Sequence, residues 1–268
     1  MVYPYSVLMS VYSGETALNL RQSIDSIYAQ DCLPSEFVLV VDGPVDTSLL
    51  EVIYSYPSVK VVRLPENVGL GAALNEGLKH VTCDIVARMD SDDVAFTNRC
   101  GREYSKISEG LDIVSSSLLE FEEDISNITG RRDLPVTQDE IIEFSRKRNP
   151  FNHPCVMFRK SAVIAAGGYN SDFPYFEDYD LWIRMLMNGA RVANIEEPLL
   201  YMRTNEGMFL RRGGREYGRI MLDFHKSLID RGWTTKETYL TGAVPHYLIC
   251  IMPEFIRRAV YRMLHRKH

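Results

Sequence analysis

The chain has 268 residues, of which 46% are hydrophobic and 25% charged, proportions that exclude a disordered or fibrous protein and leave room for one large α/β domain or two small ones. A formal net charge of -6 excludes sequence-independent nucleic-acid binding through bulk charge, so no nucleic-acid partner is expected. Five cysteines, Cys32, Cys83, Cys100, Cys155 and Cys250, are odd in number, scattered and never paired as CxxC; they predict neither a disulfide framework nor a zinc site and fit a cytoplasmic protein.

The N-terminal MVYPYSVLMSVY lacks a basic n-region and a long apolar stretch, so no signal peptide is expected. Residues 5–11 read as the first strand, and a helix follows in which Leu20, Ile24, Ile27 and Tyr28 recur at helical spacing. Residues 37–42 read as a strand whose Phe-Val-Leu-Val-Val is a continuous apolar run, the pattern of burial on both faces. Residues 59–64 and 84–89 repeat the theme around a helix beginning near Gly71. Alternating strands and helices predict a Rossmann-like, mostly parallel sheet with crossover helices. Such sheets bind ligands beyond the carboxyl ends of their strands, which here carry Tyr12, Asp42, Asn67 and the acidic group Asp90, Asp92 and Asp93.

Arg88-Met89-Asp90-Ser91-Asp92-Asp93 sets three carboxylates within four residues at a strand end. Like charges this close are tolerated when a cation neutralises them, and oxygen-only ligands suit Mg2+ or Mn2+. A solvated acidic turn, or a cap for the helix near Thr97, is the competing reading. After residue 100 the alternation loosens, and two further clusters stand out, at 149–154 and 176–182. In the latter, Glu177, Asp178 and Asp180 lie among aromatic residues, where a carboxylate is first a helix cap and otherwise a candidate general base. Weaker signals are Asp42-Gly43 as a ribose or base contact, the loop Glu66-Asn67-Val68-Gly69-Leu70-Gly71, and His153 before Pro154. The last weak signal is Arg211-Arg212-Gly213-Gly214, a lid over a diphosphate or an ordinary basic loop.

Taken in order, Ser10-Val11-Tyr12, Val41-Asp42-Gly43, Asn67-Val68-Gly69-Leu70, Asp90-Ser91-Asp92-Asp93, Asn152-His153-Pro154 and Glu177-Asp178-Tyr179-Asp180-Leu181-Trp182 resemble family 2 glycosyltransferases of the GT-A fold, of the bacterial O-antigen and exopolysaccharide type. The resemblance spans residues 5 to about 215 and implies one GT-A domain over 1–240, with a nucleotide-sugar half over about 1–100 and an acceptor half over about 101–240. It implies that Ser10, Val11, Tyr12, Glu15, Asp42, Asn67, Gly69, Arg88, Asp90 and Ser91 surround a nucleotide-diphosphate sugar, with Tyr12 against the base and Asp42 bonded to it. Asp92, with Asp90, would hold Mn2+ or Mg2+. Asp178 would deprotonate the acceptor hydroxyl for a single inverting displacement. His153, Glu177, Trp182, Arg211 and Arg212 would contact acceptor or phosphate.

A QxxRW motif and membrane-spanning segments, usual in processive synthases, are not found, so transfer of one sugar is expected. The competing classes are a nucleotidyltransferase and a non-catalytic sugar-nucleotide-binding protein. Residues 8–22 contain no Lys and one Gly, unlike a nucleotidyltransferase phosphate loop. Residues 242–252, the longest apolar stretch, are too short to span a bilayer. Residues 253–268 hold five Arg or Lys against one Glu and alternate apolar and basic faces at helical spacing. A basic amphipathic segment over 241–268 would lie on the inner face of the cytoplasmic membrane, where an undecaprenyl-diphosphate-linked glycan acceptor is presented. Packing of this segment on its own domain is the alternative.

Overall fold

The computed structural model describes residues 2–204 and 213–252. The first half runs β1 (Val2–Tyr12), α1 (Ala17–Tyr28), β2 (Leu33–Asp42), α2 (Thr47–Tyr54), β3 (Lys60–Arg63), α3 (Leu70–His80) and β4 (Ile85–Asp90). Each expected strand is present, within a few residues of its predicted ends. Local chemistry fixes the helix starts: the Thr16 side chain accepts from the Asn19 amide at 3.2 Å, and Asp46 accepts from the Leu49 amide at 2.9 Å.

The second half runs β5 (Val94–Ala95), α4 (Arg99–Ser108), β6 (Ile113–Phe121), β7 (Ile128–Arg132), α5 (Gln138–Ser145), β8 (Met157–Arg159), α6 (Lys160–Ala165), α7 (Glu177–Met187), β9 (Val192–Arg203) and α8 (Gly214–Asp230). Helical segments over Lys236–Thr238, Tyr239–Ala243 and Val244–Cys250 follow. One sheet carries the order β3-β2-β1-β4-β8-β6-β9-β5, with β7 paired to β6. The β3-β2-β1-β4 part is parallel, whereas β4–β8, β8–β6, β6–β7 and β9–β5 are antiparallel and β6–β9 parallel. The mostly parallel half and the smaller mixed half are therefore one continuous sheet.

Helices cover both faces. Val7, Met9, Leu39, Val41, Ala87 and Met89 pack toward α1, α2 and α4, while Leu8, Val38, Val40 and Val86 pack toward α3, α6 and α7. Gly77 lets α3 lie flush on the sheet, because a Cβ there would come within 2.4 Å of Leu8 Cδ1 and 2.8 Å of Val40 Cγ2. Burial of Val38 through Asp42 accounts for the unbroken apolar run in the sequence.

The Val244–Cys250 segment packs directly on α8: a Cβ at Gly218 would meet the Tyr247 ring at 2.8 Å. No helix among the described residues is long and apolar enough to cross a membrane. Residues 253–268, with the basic face expected there, lie outside the described residues, as do Arg211 and Arg212.

Candidate active site

Strand register brings the expected residues to one edge. Ser10 lies beside Asp90, Leu8 beside Arg88 and Tyr12 beside Asp42, so the carboxyl ends of β1, β2 and β4 finish together. Parallel strands share a direction, and their C-terminal residues gather at one edge without any specific side-chain contact.

The turn after β4 gathers the acids. Asp90, Asp92 and Asp93 each offer a carboxylate oxygen within 4.8 Å of the others. The Ser23 hydroxyl donates to the Asp90 carbonyl at 2.6 Å, and the Ser91 hydroxyl donates to Glu15 Oε2 at 3.3 Å. Burial first, then Asp90 and Glu15, pushes the Asp92 carboxyl up to about 7. Burial, Asp92 and Asp90 push Asp93 well above the usual carboxylate range, and its buried Oδ2 has no hydrogen-bond partner. Capping of the following helix is not what these acids do, since α4 starts at Asn98. Crowded, oxygen-only donors with an orphaned buried oxygen fit a hard divalent cation such as Mg2+ or Mn2+.

Arg88, expected at the nucleotide, is buried next to Asp90. It shares the inner side of the sheet with Leu8 and Val86, ion-pairs with Asp90, and leaves Nε and Nη1 without partners. Val11 likewise gives no side chain to a ligand, because alternation along β1 sends it into the core with Met9. Tyr12 is 43% exposed, its ring lying over Gly14. Asp42 is buried, and its oxygens accept from the Val68 amide at 2.8 Å and the Gly69 amide at 3.1 Å, while Asn67 donates to its carbonyl at 3.3 Å. Asp42 thus holds the loop ahead of α3. Gly43 completes the junction at φ +83, where a Cβ would fall 2.6 Å from the Asn67 nitrogen.

At the opposite side, α7 begins after Phe176, which caps it without a side-chain bond. Asp178 Oδ2 accepts from Asn149 Nδ2 at 2.7 Å, and Oδ1 accepts from the Tyr179 amide at 2.7 Å. His153 Nδ1 stands 4.0 Å from Asp178 Oδ2, and its Nε2 lies 3.0 Å from the Tyr169 hydroxyl. Burial and the Arg88 cation hold His153 well below the ordinary histidine range, so the ring is neutral. Burial, then Asp178, pushes Glu177 up to about 7, and its Oε2 is buried without a partner.

Two expectations change here. Trp182 is fully buried behind His153, with ring centroids 5.9 Å apart, and also packs on Phe151, Phe158 and Tyr169; it supports the site from the core and offers no surface to an acceptor. Asp180, a candidate base or cap, ion-pairs with Arg184 at 2.7 Å and Arg231 at 2.9 Å and joins α7 to α8.

Tyr169 feels the charge of both carboxylate groups. Burial holds its hydroxyl above the usual tyrosine range; the Arg88 cation opposes this, while Asp178, Glu177 and Asp90 add to it. A Cβ at Gly71 would lie 3.3 Å from Tyr169 Cβ and 3.4 Å from Glu177 Cβ, so the start of α3 closes against the same group. Sequence reasoning assigned no role to Tyr169, Asn149 or Arg203. Asn149 opened a noted cluster, whereas Tyr169 and Arg203 carry no local signal.

The chain matches the family described as Glycosyl transferase family 2 over residues 6–166. It is 35% identical over 266 residues to the amylovoran biosynthesis glycosyltransferase AmsE of Erwinia amylovora, covering 98% of both chains. It is 32% identical over 268 residues to the UDP-Gal:alpha-D-GlcNAc-diphosphoundecaprenol beta-1,3-galactosyltransferase of Escherichia coli, covering 98% of this chain and 97% of that one. The fold is that of S. aureus TarS 1-349 in complex with UDP-GlcNAc, at a TM-score of 0.66 and 18% identity over 82% of this chain and 65% of that one. A mannosyltransferase from Pyrobaculum calidifontis in complex with GDP-Man and Mn2+ gives a TM-score of 0.65 at 19% identity, covering 85% of this chain and 64% of that one. This GT-A-fold chain belongs to glycosyl transferase family 2.

Proposed function

We propose that the chain is a metal-dependent, inverting glycosyltransferase that moves one sugar from a UDP-sugar to a hydroxyl of an undecaprenyl-diphosphate-linked glycan during surface polysaccharide assembly. What supports this reading is the acidic turn with its orphaned buried oxygen at the strand ends, Arg88 ion-paired to Asp90 there, and, on the α7 side, His153 set 3.0 Å from the Tyr169 hydroxyl and 4.0 Å from Asp178. Donor and acceptor groups would be held on two sides of one reacting carbon. The Escherichia coli relative, named for a UDP-Gal donor and a diphosphoundecaprenol acceptor, supports the choice of substrates.

Tyr12, Ser10 and Glu15 would bound the nucleotide, with Asp42 fixing the loop of Asn67 and Gly69 beside it. Asp92 and Asp90 would hold Mn2+ or Mg2+, with Asp93 as a third oxygen source. When bound, the ion neutralises the charge that develops on the departing diphosphate, so no protonated acid is needed there. Asp178 accepts the proton from the acceptor hydroxyl as that oxygen bonds to the anomeric carbon and the carbon–phosphate-oxygen bond breaks. One in-line displacement inverts the centre. A neutral His153 4.0 Å away puts no competing cation beside Asp178.

The test supplies the purified chain with Mn2+, a panel of UDP-sugars and an undecaprenyl-diphosphate-linked acceptor, and reads the product anomer by NMR. Transfer of one sugar with inverted configuration is expected. Retained configuration, transfer of a nucleotidyl group, or binding of the donor without turnover would each overturn the reading.

Peripheral attachment at the inner face of the cytoplasmic membrane completes the proposal. Residues 238–252 carry no Asp, Glu, Lys or Arg, and Leu240, Leu248 and Ile251 stand exposed on them. Next in sequence come the five basic residues of 253–268. An anionic bilayer satisfies both features, apolar contact for the leucines and charge for the arginines.

A further inference from the structure

We infer that Arg203, at the end of β9, is a positioning residue for metal uptake, holding the acidic turn from outside the ligand set. The inference rests on the metal reading above. Arg203 makes four hydrogen bonds to three distant parts of the chain. Its peptide N–H donates to Asp93 Oδ1 at 2.8 Å and its Nε to the Asp92 carbonyl at 3.0 Å. Its Nη1 donates to the Glu123 carbonyl at 3.0 Å, and its Nη2 to Gln22 Oε1 at 2.7 Å. The guanidinium also lies 4.5 Å from the Phe121 ring centre.

The chemistry of these partners separates Arg203 from an ordinary counter-ion. A guanidinium beside three carboxylates would normally pair with one of them and compete with a cation. Here its hydrogen bonds go to two backbone carbonyls and a side-chain amide, and the one contact to a carboxylate comes from the backbone. The guanidinium lies close to the turn while Oδ2 of Asp93 keeps no hydrogen-bond partner.

The fork also determines shape. Asp90, Asp92 and Asp93 repel one another before an ion arrives, so an unheld turn would open and its ligand oxygens would spread. Arg203 ties that turn to α1 through Gln22 and to the β6–β7 turn through Glu123. Glu123 has φ +59, an uncommon backbone state for a side-chain-bearing residue, and its carbonyl is one of the atoms Arg203 grips. A planar fork with fixed donors suits this geometry; a lysine ammonium reaches fewer of the partners at once.

Mn2+ titrated into the purified full-length chain with UDP present, and followed by the EPR signal of free Mn2+, tests the inference. Arg203→Met keeps the apolar stem against Phe121 and the peptide N–H to Asp93, and removes the fork. It should weaken Mn2+ binding on the order of tenfold or more, with Arg203→Lys in between, while UDP binding in EDTA is unchanged. Gln22→Ala, at an exposed position, should weaken Mn2+ binding by a smaller but measurable factor, and it decides the matter if Arg203→Met does not fold. Mn2+ affinity within twofold of wild type in the folded variants, even with a lower Tm, would show that Arg203 is structural only. A wild-type chain that takes up no Mn2+ would overturn the metal reading and this inference together. Mn2+ uptake without sugar transfer would leave the inference standing and overturn the enzymatic one.

Discussion

Asn149 donates its side-chain amide to Oδ2 of Asp178 across 2.7 Å, joining the segment before β8 to the first turn of α7. The bond fixes the rotation of a carboxylate whose other oxygen is already held by the Tyr179 amide. Such a carboxylate is aimed before substrate arrives. Asp178→Asn should lower kcat by about 10²–10⁴-fold with the Tm nearly unchanged, the range for loss of a general base. Asn149→Ala should lower kcat by roughly tenfold and leave the donor KM in place, as misaiming rather than lost binding predicts. Wild-type turnover by Asp178→Asn would remove Asp178 from the mechanism.

Glu177 makes a pH-dependent contribution to stability. Its carboxyl titrates near 7 in the fold against an ordinary 4.5, so the folded state holds the proton more tightly. Stability from this group is complete at pH below the ordinary carboxylate range and is lost as pH rises through about 7. Glu177→Gln should therefore raise Tm at pH 8 by roughly 3 °C or more and change little at pH 5. Glu103 and Asp92 titrate in the same window, and the comparison with wild type cancels their share. An equal Tm change at both pH values would contradict the assignment.

Asp92→Asn should act in opposite directions with and without metal. In EDTA at pH 8 it removes a carboxylate whose charge burial, Asp90 and Glu15 disfavour, so the variant should melt higher than wild type. With Mn2+ and UDP the order should reverse, because only wild type gains a bound ion, and sugar transfer should fall on the order of a hundredfold or more. Thermal shift under the two conditions reads both effects. A variant that Mn2+ still stabilises as much as wild type would remove Asp92 from the ligand set.

Membrane association divides between two surfaces. Sedimentation with vesicles containing anionic lipid should fall when Leu240 and Leu248 are replaced by Asp, and fall further when the chain is truncated before Pro253. Transfer to a water-soluble acceptor should be unaffected by either change. Vesicle binding equal to wild type would refute the membrane surface.

The sequence by itself determined the order of strands and helices through β4, the strand ends at Tyr12, Asp42 and Asp90, and the acidic turn. All of these follow from side-chain period and from residues adjacent in the chain. It also located Asp178, because a short acidic motif opening an apolar helix is legible locally. Only the tertiary structure decided that Trp182 is core, that Arg88 is covered, and that Asp180 belongs to Arg184 and Arg231. It alone brought Arg203 to Asp93, across 110 positions, and set the Tyr169 hydroxyl against His153 beside Asp178. Period and local chemistry choose the elements, but which side chains touch depends on how crossovers stack helices on the sheet, and no window of neighbouring residues contains that information.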